Sequence, residues 1–304
     1  MSNIDQLNDI DYELPPKGKS KWILGSLALF IITLFLYFPI SNKIKRTIKK
    51  QLTSIPGCPL NYDDVSFELF LPKVVIKDLN IPSKCFGNQA SFPLKLQRTL
   101  LHFRFFSLSP FGLHFMLETK LINENFAAYL TVGLQSIAVN IRDNQIDMKV
   151  LSLLLPDLKM KGKVKIDTLL KLDNGELIDL KLNLRSKNLV IPPQKVKSFV
   201  LSKIELNDFL LKAKMETSKL LIQDIILGDM NSPIRSSFKG HINLSTKDIK
   251  RSTIDLKGEV KFSNSFIEKY GIIKLFMSKF DKKDEFYQVQ LKGPITNPTT
   301  SSER

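Results

Sequence analysis

Beyond residue 60 the chain alternates between apolar and polar positions. Val65, Phe67, Leu69 and Leu71 share one parity, with Ser66 and Glu68 between the first three, and the same period of two returns at Leu113, Phe115 and Leu117. It recurs at Ile137, Val139 and Ile141, at Ile146, Met148 and Val150, and at Leu158, Met160, Gly162, Val164 and Ile166. Ile178, Leu180, Leu182 and Leu184 follow the turn signal Asp173-Asn174-Gly175. Further runs are Leu211, Ala213 and Met215; Phe238, Gly240, Ile242 and Leu244; Ile254, Leu256, Gly258, Val260 and Phe262; and Tyr287, Val289, Leu291, Gly293 and Ile295. Successive side chains of a strand point to opposite faces, so this period predicts half-buried antiparallel strands.

Two stretches break the pattern. SFIEKYGIIKLFMSKF places Phe266, Tyr270, Ile273, Met277 and Phe280 at spacings of four, three, four and three, the stripe of an amphipathic helix. This helix is expected to plug or cap the sheet, with a membrane contact as the second reading. PPQKVKSFVLSKIEL, residues 192–206, opens on a double proline and predicts one or two helical turns around Val196, Phe199 and Val200.

One phrase recurs inside the strands. Met160-Lys-Gly-Lys-Val-Lys-Ile166, Phe238-Lys-Gly-His-Ile-Asn-Leu244 and Leu256-Lys-Gly-Glu-Val-Lys-Phe262 share it, and Leu291-Lys-Gly-Pro-Ile295 repeats it in reduced form. Each glycine (Gly162, Gly240, Gly258, Gly293) takes an apolar-face position, and each lysine before it points the other way. A glycine there lets a strand bend or another backbone approach, at some cost in strand stability. Such glycines suit a sheet curving about its apolar face, and equally a sandwich relieving crowding between two sheets.

The N-terminal region is of another kind. WILGSLALFIITLFLYFPI, residues 22–40, has no charge over nineteen residues, the length of a bilayer-spanning helix, with the amphipathic rings of Trp22 and Tyr37 near its ends. No small-residue cleavage site follows, so an uncleaved anchor is expected rather than a signal peptide. The next residues carry Lys43, Lys45, Arg46, Lys49 and Lys50 against Ile44, Ile48 and Leu52, an interfacial amphipathic helix over 41–54. Lys17, Lys19 and Lys21 precede the span, so flanking charge alone favours a cytoplasmic C-terminal part.

Composition adds little to this picture. The chain has 304 residues and a formal net charge of +15, but its lysines are spread along strands rather than gathered in an arm. That distribution reads as solvated strand faces with some attraction to anionic lipid, and no nucleic-acid partner is expected. Cys58 and Cys85 sit in turn-like surroundings. They are either a disulfide pair in an oxidising compartment or two free thiols, and they are too few for a zinc site. His102, His114 and His241 stand alone, and no phosphate loop, nucleophile elbow or dinucleotide fingerprint occurs. No enzyme activity, metal or cofactor is expected.

The order of these features resembles a family. VSFELFLPKVVIKDLNI at 65–81 is followed by LPDLKMKGKVKI at 155–166 and DNGELIDLKLNLRSKNLVIP at 173–192. FKGHINLS at 238–245 and QLKGPITNP at 290–298 complete the series. Over residues 20–298 this is similar to the type II secretion system protein N (GspN) family, in the form with AsmA-like strand repeats. The resemblance implies a cytoplasmic tail at 1–21, an inner-membrane anchor at 22–40 and a periplasmic β-rich domain at 55–298. A disordered tail at 299–304 would close the chain. The fold class expected is mostly β: a transmembrane helix, then a curved antiparallel sheet (an AsmA-like groove or half-barrel) with a short amphipathic helix near the C-terminus. The function implied is that of a non-catalytic accessory component of type II secretion, with other envelope or secretion-system proteins as partners. Lipid binding or transfer through an apolar groove is the alternative. That groove is expected to be lined by Val164, Ile166, Leu180 and Leu182, and by Ile242, Leu244, Leu256, Val260, Val289 and Leu291.

Overall fold

The computed structural model describes residues 23–30, 33, 40–55, 58–68, 72–86, 93–108, 111–121, 124–151, 159–196, 199–216, 219–245 and 251–302. The chain forms two compact units, residues 1–47 and 48–304. In the first, residues 23–30 are helical with exposed side chains. Among the described residues no helix is long and apolar enough to cross a membrane. Trp22, Tyr37 and much of the expected anchor lie outside the described residues. Helix α1 (Ile40–Thr53) follows, and in the second unit its Ile48 and Leu52 pack against the main apolar cluster. The last turns of the expected interfacial helix thus give their apolar stripe to the protein's own core.

The second unit is mostly β. Its strands are β1 (Asp64–Glu68), β2 (Lys73–Ile81), β3 (Leu94–Leu108), β4 (Phe111–Leu121), β5 (Glu124–Gly133), β6 (Ser136–Asp147), β7 (Lys163–Asp173) and β8 (Glu176–Ile191). After these come β9 (Gln194–Val196), β10 (Phe199–Leu201), β11 (Ile204–Glu216), β12 (Lys219–Leu227), β13 (Ile234–Asn243), β14 (Thr253–Phe262), β15 (Lys282–Lys283), β16 (Phe286–Pro294) and β17 (Thr299–Ser302). The helices are α2 (Met148–Leu151), α3 (Asn264–Lys269) and α4 (Gly271–Met277). All strands except β9 and β10 join one 15-stranded antiparallel sheet in the order β1 to β8, then β11 to β14, β16 and β15, with β17 also on β16. Among the described residues the sheet is an open meander, not closed into a barrel, because β1 pairs only with β2.

The hairpins show why the sequence folds this way. Asn174 and Gly175 have φ of 50° and 82°, the left-handed pair that a two-residue turn between β7 and β8 needs. Most of the alternating positions named above fall in strands; Leu69, Leu71 and Leu158 lie outside the described residues, and Met160, Gly162, Leu244 and Ile295 fall just off strand ends. Three expectations are corrected. Within 192–206, Gln194–Val196 and Phe199–Leu201 pair as strands β9 and β10 (Phe199 opposite Val196) where helical turns were expected, and Ile204 already begins β11; pairing satisfies backbone that Pro192 and Pro193 keep from coiling. Met148 and Val150 leave the β pattern for α2, where Met148 is among the most buried side chains. Residues 299–302, expected to be disordered, form β17 on β16, with Leu291 opposite Thr300.

Most strands contribute to one large cluster that contains Val65, Ile76, Leu79, Leu121, Ile146, Val164, Leu184, Leu189, Ile204 and Phe266. Fully burying a Val or Leu side chain contributes about 1.5–3 kcal/mol, so this cluster dominates the unit's stability. Cys58 and Cys85 form a disulfide with Cα atoms 4.9 Å apart, resolving the alternatives left by the sequence. In the chain-entropy account, closing a loop of this length contributes about 3–4 kcal/mol. Replacing both cysteines with serine is therefore expected to lower the urea midpoint by that equivalent. An unchanged midpoint would show that the unfolded chain gains no freedom from the loss.

Candidate functional site

The register brings the apolar positions into rows that cross the sheet on one face. Ile166, Leu184, Leu211, Ile225, Phe238, Gly258 and Val289 are successive cross-strand partners from β7 to β16. The neighbouring row runs Ile141, Thr168, Leu182, Ala213, Ile222, Gly240, Leu256 and Leu291. A third row runs Phe103, Phe115, Leu130, Val139, Leu170 and Leu180. A fourth runs Leu113, Val132, Ile137 and Leu172. Directly opposed residues share a face, so these rows make one apolar surface about a dozen strands wide.

The ten residues expected to line a groove divide by depth. Val164 and Ile166 belong to the large cluster, and Val164 has no exposed surface. They are core, not wall, because the start of β7 lies under the chain that packs there. Leu256 and Val289 are also buried, each within a smaller cluster. Leu182 and Ile242 pack against the Leu256 cluster, Val260 against the Val289 cluster and Leu291 against both, all half-buried. Leu180 and Leu244 are half-buried and outside these clusters, and Leu244 falls just past the end of β13. The most open part of the face was missed. Leu113, Val132 and Ile137 retain 41%, 36% and 40% of their surface, and their strand alternation was the signal that could have found them.

The Lys-Gly phrases now have a physical basis. A Cβ on Gly240 would lie 2.1 Å from the Asp255 carbonyl oxygen, and the residue's φ is +148°. Gly258 sits directly across from Phe238, whose ring atoms would meet its Cβ at 2.4 Å. The bare glycine backbone makes room for that ring. The lysines face outward, as Lys239 does in pairing with Asp224 at 3.2 Å. On that same side Lys165 holds the Asp143 carboxyl below its ordinary pKa.

Several polar side chains of the sheet bond within the protein. Buried Asn144 accepts from the Ala127 N–H at 2.7 Å and donates to the Ala127 carbonyl at 2.6 Å. Thr99 and Thr119 share a hydrogen bond of 3.1 Å. His114 Nδ1 bonds Thr131, while His102 Nε2 is 3.6 Å from Glu118, too far for a hydrogen bond. Among the described residues no group of three His, Cys, Asp or Glu side chains converges to hold a metal.

α3 and α4 lie against part of this face. The Ser263 side chain caps α3 by accepting from the Phe266 N–H, and the chain then breaks at Tyr270, so the single expected helix is two. The five stripe residues nevertheless turn inward, with Phe266, Met277 and Phe280 buried and Tyr270 and Ile273 packed on the large cluster. The Tyr270 hydroxyl accepts from the Ser202 N–H at 2.8 Å and bonds its hydroxyl at 2.5 Å. Tyr270→Phe is expected to cost about 1–2 kcal/mol, because two groups lose their partner. Amide exchange would accelerate across 264–280 with the rest of the sheet unchanged; uniform protection would show that the latch is idle. Comparison with family models, curated proteins and solved structures finds no match for the chain.

Proposed function

We propose that this protein binds the acyl chains of lipids along a curved sheet, at a membrane boundary and without catalysis. The observation that carries the reading is the apolar face itself, continuous by register from β3 to β16 and overlaid in part by α3 and α4. An uncovered apolar area of that width in a folded domain is a binding surface. Lipid tails need area and no directional partners, which matches a face built almost wholly of apolar side chains. The Cys58–Cys85 bond supports an oxidising compartment such as the periplasm, and the apolar stretch at 22–40 supports an inner-membrane anchor.

A photo-crosslinking residue placed at Leu113 or Ile242 in the full chain, expressed in cells, tests this. Phospholipid should attach at both sites and not at Lys181, which lies on the opposite face between Leu180 and Leu182. Absence of lipid at both would refute the reading. An accessory role in type II secretion is the second proposal, favoured by the open edge of β1, whose outer side can accept a partner's strand. A crosslinker at Ser66 that captures a secretion component would support it.

A further inference from the structure

α4 has two apolar sides. Ile273 and Met277 face the sheet, yet Ile272, Leu275 and Phe276 keep 56%, 77% and 50% of their surface exposed. These three stand at i, i+3 and i+4, a single stripe on the outside of the helix. Apart from the Phe276 ring, whose centre is 5.8 Å from that of Phe280, the stripe adds nothing to the Val289 cluster, whose contacts the inner residues make. An exposed stripe of large aliphatic and aromatic side chains costs solubility, so it calls for a partner.

The surroundings identify that partner. From Asn264 to Phe280 the sequence has one acid, Glu268, against Lys269, Lys274 and Lys279, and these three lysines are exposed. Lys279 Nζ sits 4.3 Å from the centre of the Phe276 ring and 5.2 Å from that of Phe280. Apolar tips flanked by flexible cations are the arrangement of a segment that dips into the headgroup layer, its lysines reaching up to lipid phosphates. A stable protein interface needs roughly 800 Å² from each side, more than three side chains on two turns present.

We propose that α4 inserts Ile272, Leu275 and Phe276 into the interfacial layer of an anionic bilayer. This contact is distinct from residues 22–40 and independent of whether the apolar face holds lipid. In such a contact the Lys279 cation leaves the Phe276 ring for a phosphate, and the freed ring enters the acyl boundary.

The full chain, reconstituted in vesicles of phosphatidylcholine with a third phosphatidylglycerol, tests it. Leu275→Cys provides a single labelling site, since the two native cysteines are bonded to each other. An environment-sensitive dye there should shift to the blue and lose most of its emission to bromines placed on the upper acyl chain. The same dye on Lys181→Cys, exposed on the opposite face of β8, serves as the reference and should keep its emission. In pure phosphatidylcholine the quenching at residue 275 should weaken. Equal emission at the two sites would overturn the proposal, as would Leu275→Cys copies that crosslink to each other without quenching. Ile272→Ser/Leu275→Ser/Phe276→Ser should keep the wild-type melting temperature and leave dye on Lys279→Cys unquenched. Unaltered quenching at that site would also overturn it.

Discussion

Gly240→Val is expected to leave little folded protein. Valine is a favoured strand residue, but that preference spans only about 1 kcal/mol. Against it stands a φ of +148°, which an L side chain rarely adopts, and a Cβ that would fall 2.1 Å from Asp255 O and 2.9 Å from Leu256 Cα. Both atoms are backbone of β14, so no side chain can swing aside and the β13–β14 ladder must open. Backbone strain of this kind costs about 1–3 kcal/mol by itself, and with the clash the loss should exceed about 4 kcal/mol. Two other glycines calibrate the result. Gly293 has φ +113° but no neighbour nearer than 3.9 Å, so Gly293→Ala carries strain alone, about 1–2 kcal/mol. Gly271 opens α4 with nothing within 4 Å of its Cβ position, and Gly271→Ala should be neutral or slightly stabilising. Denaturant midpoints of the three variants should follow that order. A Gly240→Val protein as stable as wild type would mean that β13 and β14 do not approach as described.

The glycines were legible because their phrase repeats, and the strands that hold them were legible because they alternate. β2, β3, β5 and β12 hold none of the alternating runs. In β3 the register shifts between Leu96 and Thr99 and again between Phe103 and Phe105, and each shift resets which parity points inward. In β12, KLLIQDIIL carries Leu221 and Ile226 on the outward side of the strand, so its apolar residues run together instead of alternating. The helix stripe at 266–280 gave the inward residues correctly and hid the break, since spacings of four and three continue across Tyr270 and Gly271. The disulfide could not be read from sequence, because pairing depends on β1, β2 and the turn at Ser83–Phe86 bringing Cys58 and Cys85 together. The expected groove follows the strands that bear the Lys-Gly phrase and their neighbour β8, whereas the exposed half of the face lies in β4, β5 and β6, which lack that phrase.

An aspartate at position 164 and one at position 242 should behave in opposite ways, and the difference decides what the apolar face is. Val164 has no exposed surface and belongs to the cluster that also contains Met148, Leu184 and Leu189. A carboxylate there would stand among the apolar side chains of that cluster, so Val164→Asp should cost about 4 kcal/mol or more and abolish the folded state. Burial would raise that carboxyl's pKa above its unfolded value. The cost therefore stands in full above the raised value and shrinks as pH falls towards the unfolded pKa near 4. Ile242 is half-buried near the end of β13, opposite Leu220 and Ile254. There the carboxylate can reach water, so Ile242→Asp should cost about 1–2 kcal/mol and fold. It would nevertheless put a charge into the path of an acyl chain, and lipid capture by a crosslinker at Leu113 should fall sharply. If Ile242→Asp instead unfolds as completely as Val164→Asp, the face closes on itself there as a dry core, and acyl chains have no room between β12 and β14.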